Sequence, residues 1–511
     1  MFKGQPKGLI AAALANMGER FGFYVMMAIL VLFLQAKFGL SGTDAGLIYS
    51  VFYFSIYILA FVGGLIADRT RNYKGVILIG LVVMSLGYLM LSIPSKTPVE
   101  NKTFMLVITC IGLFTIAFGN GLFKGNLQAL VGQMYDNETY GKLRDTGFSI
   151  FYMFINVGAV FAPLAAIGIR NWWVAKNGFA YNADLPALCH QQLEKGLTGD
   201  ALVRFQQLME EVGAKGTDIS EFAREYLNIF TTGFHYAFAA SIFALIISLV
   251  IYLTNKQKFP DVTKKSKSSG SAEQVQMDIK EVRQRVWALI AVFAVVIFFW
   301  FSFHQNGLTL TMFARDYTNL SGIMIDLGIT KIQGAEIFQS INPFFIVLLT
   351  PIVLAFFGWL RAKGKEPSTP KKIAIGMFIA AMAYVVMAVG SYHLPDFKFI
   401  NPKTGGVPLD DALKVTPWLL VGTYFILTVA ELFISPLGIS FVSKVAPPHL
   451  QGIMQGGWLG ATALGNQLLV IGAILYESVP LWITWSIFVG ACLLSMFTMI
   501  FMLRWLERVA K

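Results

Sequence analysis

Twelve apolar runs, each about as long as a helix that crosses a lipid bilayer, account for most of this chain of 511 residues. A spanning helix needs roughly 20 predominantly apolar residues, and each run meets that length. The whole chain is 56% hydrophobic and 14% charged, with a mean hydropathy of +0.63. The core of a soluble protein could not bury so much apolar material. We therefore predict an all-α membrane protein with spans near residues 9–36, 45–67, 74–93, 104–126, 146–169, 229–254, 286–314, 336–360, 372–393, 416–442, 451–476 and 480–503.

The positive charges indicate how such a chain is oriented. An even number of spans leaves both termini on one side, and the Lys and Arg residues of the short loops collect on that side. Because cytoplasmic loops carry the excess of Lys and Arg, we assign both termini to the cytoplasm. The net charge of +11 is explained by these loops, so we expect no nucleic-acid partner.

A polar stretch divides the spans six and six. Residues 255–285 contain Lys, Ser and Gly in close succession and predict a flexible cytoplasmic linker between an N-terminal bundle, 1–254, and a C-terminal bundle, 286–511. Short basic turns follow both the second and the eighth span, at equivalent places in the two bundles. This weak internal symmetry is typical of a transporter whose halves rock about a site near the middle of the membrane.

An unusually long polar insertion, residues 170–228, separates the fifth and sixth spans on the outer side. Within it Leu202, Phe205, Met209 and Val212 follow helical spacing. We predict a small helical cap there, acting as a structural lid or docking surface.

The first span contains an acid and a base, Glu19 and Arg20. A charge at bilayer depth costs roughly 2.5 to 3.5 kcal/mol on insertion scales, so such residues usually pair or face a wet interior. At about 100° per residue, Asn16, Tyr24 and Met27 share their helix face. This stripe predicts a cavity wall, and the alternative is a buried pair that only holds helices together.

Two further charges stand alone in spans. Lys124 lies deep in the fourth span between glycines, and Glu431 is the only acid of the tenth span, five residues before Pro436. We expect Pro436 to break its helix locally. Lys124 and Glu431 would form a bridge between the halves when the cavity is closed, and substrate would break it; a static buried pair is the alternative.

Several segments resemble the proton-coupled oligopeptide transporters of the major facilitator superfamily, the POT or PTR family. The sequence Gly-Gly-Leu-Ile-Ala-Asp-Arg at 63–69 is similar to the superfamily's loop motif. Residues 119–126 and 151–158 are similar to the family's fourth-helix and fifth-helix signatures. The segments around 339–343 and 431–438, and Trp458 with Gly465-Asn466, agree as well. The resemblance implies the major facilitator fold, with twelve transmembrane helices in two six-helix bundles.

Three positions depart from the family pattern. The first helix of the family normally carries Glu-x-x-Glu-Arg, and Asn16 stands here for the first acid. Met27 replaces an Arg that in the family helps to hold the peptide carboxylate, and His304 replaces a common acid of the seventh helix. One protonatable group is therefore missing, and His304 is either its replacement or a neutral hydrogen-bonding histidine held by Gln305 or another helix.

The resemblance and the chemistry of these side chains together predict the functional residues. Asn156 and Asn342 carry amides that can pair with any peptide backbone, and Tyr24, Tyr53 and Trp458 offer apolar walls with polar tips. In the family, the Lys serves proton coupling or the substrate carboxylate, and the Glu faces the peptide's amino end. The predicted substrate-binding residues are Tyr24, Tyr53, Lys124, Asn156, His304, Gln305, Asn342, Glu431 and Trp458.

The same reasoning predicts the residues that couple transport to protons and the residues that form a cytoplasmic gate. The predicted proton-coupling groups and ion pairs are Glu19, Arg20, Lys124, His304 and Glu431. Asp68 and Arg69, in the loop motif, are expected to latch cytoplasmic helix ends during the transport cycle.

These residues lead to one functional hypothesis and two alternatives. The first is a secondary active transporter that imports di- or tripeptides, or peptide-like solutes, by proton symport with alternating access. The alternatives are the same fold retuned for another small solute or anion, and a non-transporting peptide-binding sensor. We expect a monomer in the inner membrane of a bacterium, with no cofactor beyond the proton gradient. No motif for an enzyme or a metal site is present, so we expect no catalytic or metal-binding residues.

Overall fold

The computed structural model describes residues 4–135, 137–140, 143–216, 218–260, 279–447 and 450–509. Within this part of the chain, twelve helical segments are long and apolar enough to cross a membrane, which confirms the predicted number of spans. The protein is therefore an all-α, multi-pass membrane protein.

The N-terminal half contains the first six spans and two short helices. Polar side chains begin several of these helices: the Ser41 hydroxyl accepts from the Asp44 amide, and Asn101 accepts from the Phe104 amide. The first helix ends at Gly39, whose φ of 59° lies in the left-handed region that glycine adopts readily. The helices of this half are α1 Leu9–Phe38, α2 Gly42–Thr70, α3 Tyr73–Ser92, α4 Lys102–Met134, α5 Arg144–Lys176, α6 Leu185–Glu194, α7 Gly199–Glu211 and α8 Ile219–Asn255.

The C-terminal half contains the other six spans. Its helices are α9 Ile279–Phe303, α10 Thr309–Asp316, α11 Ile341–Ala362, α12 Thr369–Gly390, α13 Phe397–Ile400, α14 Trp418–Val445, α15 Gln451–Gln467, α16 Leu469–Ser478 and α17 Leu481–Val509. A two-residue antiparallel hairpin, β1 Ile325–Asp326 and β2 Lys331–Ile332, lies between the seventh and eighth spans. The predicted linker 255–285 falls largely on 261–278, outside the described residues, and α9 begins at Ile279.

Glycines bring helices of the N-terminal half into backbone contact. A Cβ added to Gly63 of α2 would lie 2.1 Å from the carbonyl oxygen of Gly121 in α4. A Cβ on Gly121 would lie 2.4 Å from the Leu59 carbonyl oxygen, and Asn126 Nδ2 donates to the Gly63 carbonyl at 3.0 Å. No side chain fits between these helices, so Gly63 and Gly121 permit a close approach of α2 and α4 near Lys124.

Regular helix is interrupted at places the sequence did not reveal. The seventh span contains a 3₁₀ turn, His304–Gly307, between α9 and α10, and another, Ala335–Ser340, opens the eighth span. The prediction of a break at Pro436 is wrong, because α14 continues through that residue. Packing by neighbouring helices can compensate for the hydrogen bond that a proline lacks.

The insertion between the fifth and sixth spans is helical, but smaller than predicted. Helix α5 extends to Lys176, and α8 begins at Ile219. The part of the insertion outside the spans is therefore 177–218 rather than 170–228. The predicted amphipathic helix is α7, which buries Phe205, Leu208 and Met209. We call residues 177–218 the cap, and we call the face that carries it the outer face; the termini lie on the opposite face.

Candidate functional site

The acid and base of the first span form a buried pair. Arg20 donates from Nε and Nη2 to the two carboxylate oxygens of Glu19, at 2.5 and 2.6 Å. Asn120 of α4 adds a third bond, from Nδ2 to Glu19 Oε1 at 2.7 Å. Glu19 is 1% exposed and Arg20 is 4% exposed. The pair therefore ties α1 to α4 in this conformation, and of the predicted stripe only Tyr24 is partly exposed.

Lys124 lies beside an aromatic ladder on α2. Its Nζ is 4.6 Å from the ring centroid of Tyr57, a distance typical of cation–π contact. The ring of Tyr57 is 5.7 Å from that of Tyr53, which in turn is 5.8 Å from that of Tyr49. Lys124, Tyr53 and Tyr57 are all partly exposed although they belong to the middle of their spans. We infer from this partial exposure that a cavity lies between the helices.

A second polar group comes from the C-terminal half. Asn342 of α11 donates from Nδ2 both to Glu431 Oε2 and to Thr428 Oγ1, at 2.9 Å each. Thr428 in turn donates to the Tyr424 carbonyl of its own helix at 2.7 Å. Glu431 and Asn342 remain partly exposed, so their free oxygens and hydrogens can meet a ligand.

The two polar groups face each other across the halves. Glu431 lies within electrostatic range of Tyr24, Tyr57 and Tyr152, which all belong to the N-terminal half. Among the described residues, no ion pair joins Lys124 to Glu431. This conformation thus holds a cation and a carboxylate apart in one cavity, and the predicted bridge between them stays a prediction.

His304 sits at the edge of the same region. Its Nδ1 is hydrogen-bonded to Oδ1 of Asn466, and its ring stacks on Trp300 with 4.9 Å between centroids. The ring of Tyr53, from the other half, also lies 4.9 Å away. A histidine bonded to an amide and enclosed by rings matches the hydrogen-bonding alternative considered above, with Asn466 rather than Gln305 as its partner.

Other predicted substrate ligands present little surface here. Gln305 is fully buried, where it donates to the Leu469 carbonyl and accepts from Thr309. Asn156 is 5% exposed and donates to Tyr152 of its own helix. Trp458 is 4% exposed and packs against Gly438, where an added Cβ would lie 2.0 Å from its ring. Their roles as ligands stay predictions.

Four residues of this region were missed as candidates. Asn120 and Asn466 lie in segments quoted for the family resemblance, so their position was a usable signal. Tyr152 is 48% exposed at the cavity, and it lies in the fifth-helix signature. Thr428 gave no signal, since threonines in spans usually bond within their own helix.

The predicted gate residues lie at the surface, at the end of α2. Asp68, in the last turn of α2, is exposed and accepts a hydrogen bond from the hydroxyl of Tyr73 at the start of α3, and Arg69 is exposed beside it. Within the described ranges, no cluster of three or more His, Cys, Asp or Glu side chains is placed to hold a metal ion.

The outer face is closed by contacts between the halves. Glu477 accepts from the backbone amides of Gly42 and Thr43 at the start of α2, at 2.6 and 2.9 Å. Lys403 donates to the Gly39 carbonyl, and Lys414 reaches Asp184 of the cap at 3.2 Å. Burial raises the pKa of Asp184 against the opposing effect of the Lys414 cation. These contacts therefore join the two halves at the outer face.

Several similar bacterial proteins align with nearly the whole chain. A peptide transporter of Yersinia enterocolitica, YePEPT, is 28% identical, over 91% of this chain and 87% of its own. A dipeptide and tripeptide permease B of Salmonella typhimurium is 25% identical, over 92% of this chain and 88% of its own. Bacillus subtilis has an uncharacterized transporter, YclF, that is 28% identical over 94% of this chain and 90% of its own.

Solved structures give the same fold. A peptide transporter POT in complex with sulfate superposes with a TM-score of 0.70 at 22% identity, covering all of this chain and 96% of its own. A POT family transporter with a thioalcohol-conjugated peptide gives 0.71 at 21% identity, covering all of this chain and 98% of its own. The model of the POT family matches residues 74–275 and 262–483, which is most of the sequence. This chain, with its paired bundles and central polar cavity, is a member of the POT family of the major facilitator superfamily.

Proposed function

We propose that this protein imports di- and tripeptides, or peptide-like solutes, by proton symport with alternating access. The observation that carries the proposal is the central cavity, where Lys124 of one half and the Asn342–Glu431 pair of the other half are both accessible. A short peptide carries a carboxylate, an ammonium group and backbone amides, and this set of side chains complements all three. The names of the relatives, peptide transporter and dipeptide and tripeptide permease, support the same substrate class.

The cycle follows from the charges. A bound peptide inserts its carboxylate near Lys124 and its ammonium group near Glu431, and so draws the halves together over the cavity. Protonation of Glu19 would loosen its bonds to Arg20 and Asn120, and would free α1 from α4. Coupling is then an exchange of partners among buried charges, and the only driving species needed is the proton.

The remaining parts of the proposal concern the setting of the protein. The basic turns support cytoplasmic termini, and the bacterial relatives support the inner membrane of a bacterium. We propose a functional monomer, because each chain contains both halves of the cavity.

Uptake of radiolabelled dialanine into proteoliposomes tests this function. We expect accumulation under an inward proton gradient, and its loss in Lys124→Ala and in Glu431→Gln. The conservative change Thr423→Val is a suitable control, because Thr423 is buried and bonds to the Leu419 carbonyl of its own helix. Wild-type accumulation by Lys124→Ala would overturn the ion-pair mechanism. Failure of the wild-type protein to accumulate any peptide would favour the alternative of a retuned solute, and competition by small organic anions would then identify it.

A further inference from the structure

A surface groove lies between the first and the last helix of the C-terminal half. It is formed by the start of α9 and the end of α17, and it has a volume of about 310 Å³. Both helix ends belong to the face that carries the termini, so the groove opens at that surface of the membrane. We call it the α9–α17 groove, and its lining residues are Lys280, Arg283, Gln284, Trp287 and Trp505.

The cations and the tryptophans of the groove lie at different depths. Lys280, Arg283 and Trp287 follow helical spacing along one face of α9. At 1.5 Å per residue, Lys280 lies about 10 Å from Trp287 along the helix axis. Tryptophans at the ends of spans lie at the level of the lipid headgroups, and Trp287 is 55% exposed. The two cations, both exposed, therefore lie outside the hydrocarbon region, where lipid phosphate groups are found.

The positive charge of the groove has no compensation from the protein. Among the described residues that line it, none is acidic. The neighbouring acid Glu281 pairs with Arg285 at 2.8 Å, on the adjacent face of α9. In the part of the chain that the structure describes, Arg283 forms no hydrogen bond and no ion pair. An anionic ligand would supply the missing partner.

On the membrane side of the tryptophans, the surface is apolar and exposed. Ile290, one turn beyond Trp287 on α9, is 43% exposed. Phe501, one turn before Trp505 on α17, is 91% exposed. Acyl chains can lie on this surface while a headgroup occupies the groove. A soluble phosphate would gain nothing from these apolar residues, so they favour a lipid as the source of the anion.

A second groove of similar size shows what distinguishes the first. It lies between the end of α12 and the start of α17 at the outer face, and its volume is about 280 Å³. It also contains large aromatic side chains, but no Lys or Arg lines it. The two grooves therefore differ in charge rather than in size. The described residues that line the second groove are Ala388, Val389, Tyr392, His393 and Trp482.

We propose that the α9–α17 groove binds one anionic phospholipid. Its phosphate group contacts Lys280 and Arg283, and its acyl chains follow Ile290 and Phe501. Basic pockets between spanning helices on the cytoplasmic side are suited to anionic headgroups, and the proposed orientation assigns this groove to that side. The proposal does not depend on the transported solute, so its failure and the failure of peptide transport are separate results.

Native mass spectrometry of the full chain in detergent tests the proposal. Dioleoyl phosphatidylglycerol and dioleoyl phosphatidylcholine are titrated in parallel, because they share their acyl chains and differ in net charge. We expect one phosphatidylglycerol to bind more tightly than any phosphatidylcholine. The double variant Lys280→Gln with Arg283→Gln should weaken that binding by roughly twentyfold to thirtyfold, since each cation near a membrane contributes about fivefold.

The matched control for charge is the double variant Lys365→Gln with Lys371→Gln. It removes two exposed lysines at the junction of α11 and α12, on the same face of the protein, and should leave binding unchanged. Unchanged binding in the groove variant, or an equal loss in both double variants, would overturn the proposal. Equally tight binding of the two lipids to the parent would overturn it as well.

Two tryptophan variants locate the lipid without changing charge. Trp505→Leu should weaken the binding of phosphatidylglycerol, whereas Trp482→Leu, in the second groove, should not. Loss of the tight lipid in Trp482→Leu alone would overturn the assignment to the α9–α17 groove. Glycerol phosphate serves as a soluble competitor, and an equal concentration should not displace the lipid. Displacement at that concentration would assign the groove to a soluble phosphate and reject the lipid.

Discussion

Asn342 and Glu431 come from different helices of the C-terminal half, and a hydrogen bond of 2.9 Å fixes the carboxylate at the cavity wall. The same amide group bonds to Thr428, one turn before Glu431 on α14. The position of Glu431, the predicted peptide-binding acid, therefore depends through Asn342 on the neutral hydroxyl group of Thr428.

Thr428→Val should raise the KM for peptide uptake by roughly threefold to tenfold, because the isosteric change removes one bond that orients Asn342. Initial uptake rates in proteoliposomes under a full proton gradient give KM and the maximal rate separately. Thr423→Val, which loses only a bond within its own helix, should leave KM unchanged. An unaltered KM in Thr428→Val would mean that Glu431 needs no positioning.

The contact between Gly63 and Gly121 leads to a prediction of stability. In Gly63→Ala the new Cβ meets the Gly121 carbonyl oxygen, so α2 and α4 must move apart. We expect a loss of roughly 1–3 kcal/mol, typical of overpacking, measured as a lower midpoint of thermal unfolding in detergent. The neighbouring Gly64→Ala is the control, since nothing lies within 4 Å of its added Cβ. Equal midpoints for the two variants would contradict the close packing.

His190 should make the cap sensitive to pH. Burial lowers the pKa of His190, and the neutral ring donates from Nε2 to the Ala36 carbonyl at 2.7 Å. A depressed pKa means that the folded cap disfavours the proton, so the stability is present above the ordinary pKa of about 6.5 and is lost as pH falls below it.

Hydrogen exchange in α6 measures this effect. After correction for intrinsic rates, hydrogen exchange in α6 should become faster as the pH is lowered from about 7.5 to about 5.5. His190→Gln, which keeps a donor and cannot titrate, should remove the pH dependence. Identical pH profiles for both proteins would show that His190 does not control the cap.

Among the described residues, two ion pairs that join the cap to the other half should differ in importance. Lys414→Met leaves the 9% exposed carboxylate of Asp184 without its cation, and we expect clearly faster exchange in α6. Arg204→Met breaks a pair whose aspartate is 61% exposed, so the cost should be below about 1 kcal/mol. Equal exchange in the two variants would mean that burial does not set the strength of these contacts.

The fold was predictable because hydrophobic length alone determines where a helix can cross a membrane. Helix ends were less predictable: α5 and α8 continue past the apolar runs, which made the insertion look larger than the cap is. The polar residues in family-like segments, such as Lys124 and Glu431, are partly exposed within their spans, and their roles as ligands stay predictions. Partners distant in sequence, such as Arg170 and Glu336 at a separation of 166 residues, carry no local signal.

The glycine contact between α2 and α4 also limits how the protein can move. Two backbones that touch without side chains between them cannot slide or tilt separately, since any shift would bring carbonyl oxygens into collision. By contrast, the contacts that join the halves at the outer face are hydrogen bonds and ion pairs, which can break and re-form. The N-terminal helices around Lys124 should therefore move as one rigid body, and the conformational change of transport should take place at the hydrogen bonds and ion pairs between the halves.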